Sequence, residues 1–188
     1  MKVFFTASQR GKAYFDSYYK KIFDTLSHLD LENIDSEIVK INSKVFYEEL
    51  EKEGRKRYIE LYKNSMQNIK KADVNIFECS LPSLSVGFMI EKSLEINKPT
   101  VALYLKDNIP FFLEGINEEK LIVKSYNDST LETVISEAIE EAKNQSDKRF
   151  NFFINPSLLL YLEEASKKNG VTKSTFIRNL ILDHMRNR

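Results

Sequence analysis

Residues 72–87 read Ala72-Asp73-Val74-Asn75-Ile76-Phe77-Glu78-Cys79-Ser80-Leu81-Pro82-Ser83-Leu84-Ser85-Val86-Gly87. The apolar run at 74–77 predicts a buried strand. Residues 80–85 then form a hydroxyl-rich loop, and a helix is expected over 86–97. A strand, a short loop and a helix in that order are the unit of a parallel sheet. The same alternation continues on both sides. Downstream, 99–105 and 121–123 read as strands and 130–144 as a closing helix. Upstream, 3–6 is an apolar strand, and 12–28 places Phe15, Tyr18, Tyr19, Ile22, Phe23 and Leu26 at helical spacing. Residues 36–41 are expected to be a second strand and 46–71 one long polar helix. The fold class is therefore α/β, a parallel sheet with helices on both faces.

The chain has 188 residues, 42% hydrophobic and 30% charged, enough for one domain and a small module. No apolar run approaches the roughly 18 residues of a membrane span, so no membrane partner is expected. The single cysteine, Cys79, rules out an internal disulfide and fits a reducing cytoplasm. With one Cys and two His, His28 and His184, no zinc site is expected, and no cofactor is called for. Net charge is zero but divided. From Lys148 onward eight basic residues face three acidic ones, +5, against −5 for the residues before. That asymmetry is what a nucleic-acid-binding appendage carries, and it is equally what a solvated helical surface carries. The polar stretch Asn144-Gln145-Ser146-Asp147 is the natural linker, dividing a body, 1–143, from a tail, 148–188.

In open parallel sheets ligands bind beyond the C-terminal ends of strands, where the strand order reverses. Two loops qualify: Ala7-Ser8-Gln9-Arg10-Gly11 and the stretch from Ser80 to Gly87. Both carry hydroxyls and a glycine and feed helix N-termini. Free backbone N–H groups there suit an anion, with Arg10 adding a guanidinium. Ordinary turns with capped helices would have the same residue types.

At these loops, Val3-Phe4-Phe5-Thr6-Ala7-Ser8-Gln9-Arg10-Gly11, Lys71-Ala72-Asp73-Val74 and Pro82-Ser83-Leu84-Ser85-Val86-Gly87-Phe88 together resemble the nucleoside 2-deoxyribosyltransferase superfamily, closest to its 2′-deoxynucleoside 5′-monophosphate N-glycosidases. The resemblance implies a flavodoxin-like fold over about 1–142 and a homodimer or homotetramer. It implies a nucleotide or other phosphorylated ligand held by Ser8, Arg10 and Ser83, with Gly11, Ser85 and Gly87 in the same loops. The family's chemistry uses a carboxylate nucleophile, a second carboxylate and a tyrosine. These fall on Met89, Ser65 and Phe4, and a thioether cannot stand in for a carboxylate. A second way of counting gives Glu91 as the nucleophile. Met89 and Glu91 lie about 200° apart on a helix, so only one can face a pocket. Glu78 is a further acid at a strand end.

The tail reads as one strand, Arg149 to Ile154, and two helices. Pro156 starts the first and Asn169-Gly170 stops it, while Thr172 or Ser174 caps the second. Its Ile-Asn-Pro-x-Leu and Val-Thr-Lys-Ser-x-Phe-Ile-Arg stretches resemble a ribbon-helix-helix domain. That resemblance implies two chains pairing their strands in the major groove of a palindromic DNA operator. Arg149, Asn151 and Phe153 would face the bases, and Lys173, Ser174 and Thr175 would grip phosphate. Such a unit dimerises whether or not it binds DNA. The expectation is a DNA-binding regulator, a pseudoenzyme whose body holds a nucleotide without cleaving it. The alternative is an active N-glycosidase or deoxyribosyltransferase using Glu91, with the tail serving only for oligomerisation.

Overall fold

The computed structural model describes residues 1–145 and 152–187. Five parallel strands form one sheet: β1 Lys2–Ala7, β2 Glu32–Asn33, β3 Val74–Glu78, β4 Thr100–Leu105 and β5 Leu121–Tyr126, in the order β2-β1-β3-β4-β5. The chain leaves β1 through α1 (Lys12–His28) to reach β2 at the edge. It then crosses back through α2 (Glu37–Lys40), α3 (Ser43–Glu53) and α4 (Arg55–Lys71) to β3 on the other side of β1. The order therefore reverses between β1 and β3. Helix α5 (Leu84–Glu95) links β3 to β4, the short α6 (Phe111–Glu114) precedes β5, and α7 (Leu131–Asn144) follows it.

Alternation along the strands builds a core on each face. Val3, Phe5 and Ala7 of β1 join Val74, Ile76, Val101 and Leu103 on one side, against Tyr19, Ile22 and Leu26 of α1 and Ile135 and Ile139 of α7. Phe4, Phe77 and Ala102 face the other way, onto Ile69 of α4 and Val86, Met89 and Ile90 of α5. The buried Asn75 ties this second layer together. Its amide donates to the Ile69 carbonyl (3.2 Å) and to Ser93 Oγ (2.8 Å), which lies 2.7 Å from Thr100 Oγ1.

Two expected elements are corrected. Residues 36–41 are not a strand. β2 is the two-residue Glu32–Asn33, and α2 follows. The Asp35 carboxylate accepts the Glu37 N–H at 2.7 Å, opening the helix. Lys12 Nζ donates to the carbonyls of Ile38 and Ile41, both at 2.7 Å, closing it. The long helix of 46–71 is two helices, broken at Gly54, whose φ of 56° lies in the left-handed region.

Residues Lys148–Arg188 form a second compact unit. Its helices are α8 (Pro156–Lys168) and α9 (Lys173–Arg186). The Asn155 side chain caps α8 by accepting the Leu158 N–H at 2.9 Å, and Thr172 caps α9 by accepting the Thr175 N–H at 3.2 Å. Leu162 is buried, but Leu158, Leu159, Leu180, Ile181 and Met185 remain exposed. The expected reading strand lies largely outside the described residues, Arg149 and Asn151 included. Phe153 is fully exposed and in no strand. Among the described residues no helix is long and apolar enough to cross a membrane.

Candidate active site

A cleft of about 800 Å³ opens beyond the C-terminal ends of β1 and β3, at the point where the strand order reverses. Ser8 and Arg10 line it from the first loop, and Ser83 and Ser85 from the second. Ser8 is buried, with its carbonyl taking the Gly11 N–H at 2.9 Å in a single 3-10 turn. Ser83 is the N-cap residue of α5, yet its hydroxyl makes no capping bond. The hydroxyl is thus available at a helix end that has unpaired N–H groups. Arg10 is exposed within this mouth. Gly11 ends the turn after β1 and Gly87 lies in the first turn of α5, and neither is a lining residue. Beyond Gly11 the Tyr19 hydroxyl, at 3.4 Å from the Ser8 carbonyl, fills the space.

The floor is apolar. Phe4, Ser65 and Met89, where the family resemblance puts the three reacting groups, do meet in this cleft, and none is a carboxylate. Along α5, Met89 is buried and lines the cleft, whereas Glu91 is solvent-exposed and does not line it. Aromatic side chains Phe46, Tyr47, Tyr58, Tyr62 and Phe88 make up another wall.

Two acids that the sequence did not single out line the same cleft, Asp35 and Glu37. Both follow the C-terminal end of β2. Asp35 is fixed by two bonds, accepting the Glu37 N–H and Asn68 Nδ2, each at 2.7 Å. Glu37 Oε1 pairs with Arg57 Nη2 at 3.1 Å, and Arg57 also reaches Glu49 at 3.4 Å. Burial raises the Glu37 carboxyl above the usual range. Arg57 opposes this, and Asp35 and Glu49 add to it. The one signal available in sequence was an Asp-x-Glu directly after an edge strand.

Glu78 lies elsewhere, buried beneath the sheet end. Its Oε1 accepts from the Ser80 N–H (3.2 Å), the Ser80 hydroxyl and the Tyr126 hydroxyl (2.9 Å), while Oε2 has no hydrogen-bond partner among the described residues. Burial pushes its pKa up, against the pull of those donors. A carboxyl raised in the folded state stabilises fully below its unfolded pKa, and that contribution is lost as pH rises through the folded value. Glu78→Gln is therefore expected to gain on the wild type in urea-unfolding free energy as pH is raised from 4.5 to 8. A constant difference across that range would show that folding does not raise the Glu78 carboxyl.

No ligand-coordinating group of three or more His, Cys, Asp or Glu occurs among the described residues. In the tail, Lys173 Nζ is paired with Glu163 at 2.7 Å. Ser174 lies in the first turn of α9, and Thr175 Oγ1 is 2.9 Å from Thr172 Oγ1.

No family model matches the chain. Two curated proteins do. The protein named "Putative 2′-deoxynucleoside 5′-phosphate N-hydrolase 1" from Thermofilum pendens is 28% identical over 144 residues, 75% of this chain and 92% of that protein. The protein of the same name from Methanosarcina barkeri is 30% identical over 141 residues, 73% of this chain and 84% of that protein. Among solved structures, the Clostridium botulinum CMP N-glycosidase BcmB matches 74% of this chain and 99% of its own, at a TM-score of 0.48 and 14% identity, too slight a likeness to argue from. The curated relatives overturn the expectation of a DNA-binding regulator with a disabled body. Both are named as nucleotide N-hydrolases, and an enzyme of that kind is what the chain's similarity supports. With 30% identity over 73% of its length, the chain belongs to the 2′-deoxynucleoside 5′-phosphate N-hydrolase family of the nucleoside 2-deoxyribosyltransferase-like superfamily.

Proposed function

We propose that the chain hydrolyses the bond between base and sugar in a 2′-deoxynucleoside 5′-monophosphate. One observation carries this: Ser8 and Arg10 of the first loop and Ser83 of the second, distant in sequence, line one cleft together with an aromatic wall. The phosphate sits against the hydroxyls, the Arg10 guanidinium and the first N–H groups of α5. The base packs on the wall formed by Phe46, Tyr47, Tyr58, Tyr62 and Phe88. The glycosidic bond between them lies over the apolar floor of Phe4 and Met89, where little water competes and any nearby charge acts strongly.

The tail, 148–188, following a linker at 144–147, is the assembly module of this enzyme. Its exposed Leu158, Leu159, Leu180, Ile181 and Met185 support a ribbon-helix-helix-like pairing of two chains into a homodimer or homotetramer. The test is to incubate the protein with each deoxynucleoside 5′-monophosphate and the corresponding nucleoside and to measure free base by chromatography. The expected result is release from the monophosphates, at least about tenfold faster than from the nucleosides, since one charge-assisted bond accounts for that much. A chain ending at residue 147 should keep this activity and sediment as a smaller species. No base release from any nucleotide would sink the proposal.

A further inference from the structure

We infer that Glu37, carried by α2 rather than α5, is the general base of this site. The inference rests on the N-hydrolase reading above and names the residue that replaces the carboxylate missing at Met89. Three observations converge on it. First, of the described residues that line the cleft, the acids are Asp35 and Glu37, and α5 contributes Leu84, Ser85, Val86, Phe88 and the thioether Met89 but no carboxylate. Second, Glu37 is held rather than loose. Arg57 grips Oε1 at 3.1 Å, and the backbone N–H of Glu37 is anchored on Asp35 at 2.7 Å. Lys12 clamps the far end of α2 through the Ile38 and Ile41 carbonyls and is itself paired with Asp16 at 3.3 Å. A base must be within hydrogen-bond reach of the water it activates and fixed in orientation. Among the described residues the side-chain bonds of Glu37 go to Oε1, which leaves Oε2 for that water. Third, both acids follow the C-terminal end of β2, at the same end of the parallel sheet as the loop after the neighbouring β1.

The step balances as a hydrolysis. The C1′–N bond breaks and its electron pair goes to the departing ring nitrogen, which takes a proton from solvent. A water oxygen bonds to C1′ and gives its proton to Glu37 Oε2, which returns it to solvent. The products are the free base and a deoxyribose 5-phosphate. The negative charge of Glu37 and Asp35 also faces the positive charge that develops on the sugar ring as the base leaves. Asp35, with both oxygens already engaged, is a positioning residue. The charged groups facing Glu37 are Arg57 of α4, Glu49 of α3 and Asp35 of its own loop. Burial with two acidic neighbours suits Glu37 to accept a proton more readily than a free carboxylate does.

The test uses the full chain and free-base release from deoxynucleoside 5′-monophosphates. Glu37→Gln is expected to lower kcat by at least about 100-fold, with KM within about threefold of wild type, as removal of a general base does. Glu37→Ala should recover activity saturably with added formate, which a merely structural loss would not, and Glu91→Gln should behave as wild type. A Glu37→Gln protein that turns over within about tenfold of wild type overturns the inference and leaves the N-hydrolase reading standing. So does a Glu37→Ala protein that formate fails to rescue, or a Glu91→Gln protein that loses activity. A wild-type protein that releases no base overturns that reading and the inference with it.

Discussion

The double substitution Ser8→Ala with Arg10→Ala is expected to lower kcat/KM for deoxynucleoside 5′-monophosphates by about 100- to 1000-fold and to leave the slow cleavage of nucleosides nearly unchanged. Arg10 is exposed at the cleft mouth, so its bond to phosphate belongs at the lower end of the roughly 1.5–3 kcal/mol of a charge-assisted hydrogen bond. Ser8 is buried at the start of the same turn and adds about 1 kcal/mol as a neutral donor. One bond from each sums to about 2.5 kcal/mol and a second bond from Arg10 brings about 4, at 1.4 kcal/mol per factor of ten. Measuring both substrates separates recognition from damage. If nucleoside and nucleotide cleavage fall together, the loop holds something other than phosphate.

The second large effect concerns shape. Gly11→Ala is expected to destabilise the body by about 1–3 kcal/mol, the range for overpacking a close-packed site, seen as a drop of several degrees in Tm. Gly11 has ordinary right-handed angles, φ −67° and ψ −20°, so the backbone makes no demand for glycine. Space does: a Cβ there runs into the hydroxyl of Tyr19 and reaches 3.6 Å from Leu81 Cβ. Tyr19 is completely buried and cannot swing away, so the first loop must move instead, taking Ser8 with it. Tyr19→Phe removes the clashing oxygen. Added to Gly11→Ala, it should recover part of the lost stability in a double-mutant cycle. Strict additivity of the two changes would mean that the clash is relieved elsewhere.

Much of this was legible in the sequence because it rested on local pattern. The β1, β3 and β4 runs and the apolar stripe of α1 announce themselves by period, and they place Ser8, Arg10, Ser83 and Ser85 by the rule for strand ends. What could not be read was set by contacts distant in the chain. Ile38, Val39 and Ile41 favour a strand by propensity, and the helix wins there because Lys12, over 25 residues away, binds its carbonyls. Asp35 and Glu37 were missed for the same reason, since their role depends on α2 being a helix. Gly54 reads as a tolerated glycine within a helix, but its φ of 56° ends one helix and begins another. The tail's net charge suggested DNA, yet Lys173, one of the expected phosphate contacts, is paired with Glu163, a contact that a charge count does not reveal.

The two rims of the sheet differ in length, and that bears on aggregation. β2 pairs with β1 through two residues only, Glu32 and Asn33, so this rim offers an incoming strand almost no ladder to extend. β5 is six residues long and pairs only with β4 among the described strands. Growth by strand addition is thereby confined to the β5 side. There Lys124, paired with Glu141 at 2.9 Å, places a charge that a flat, self-templating stack would have to bury.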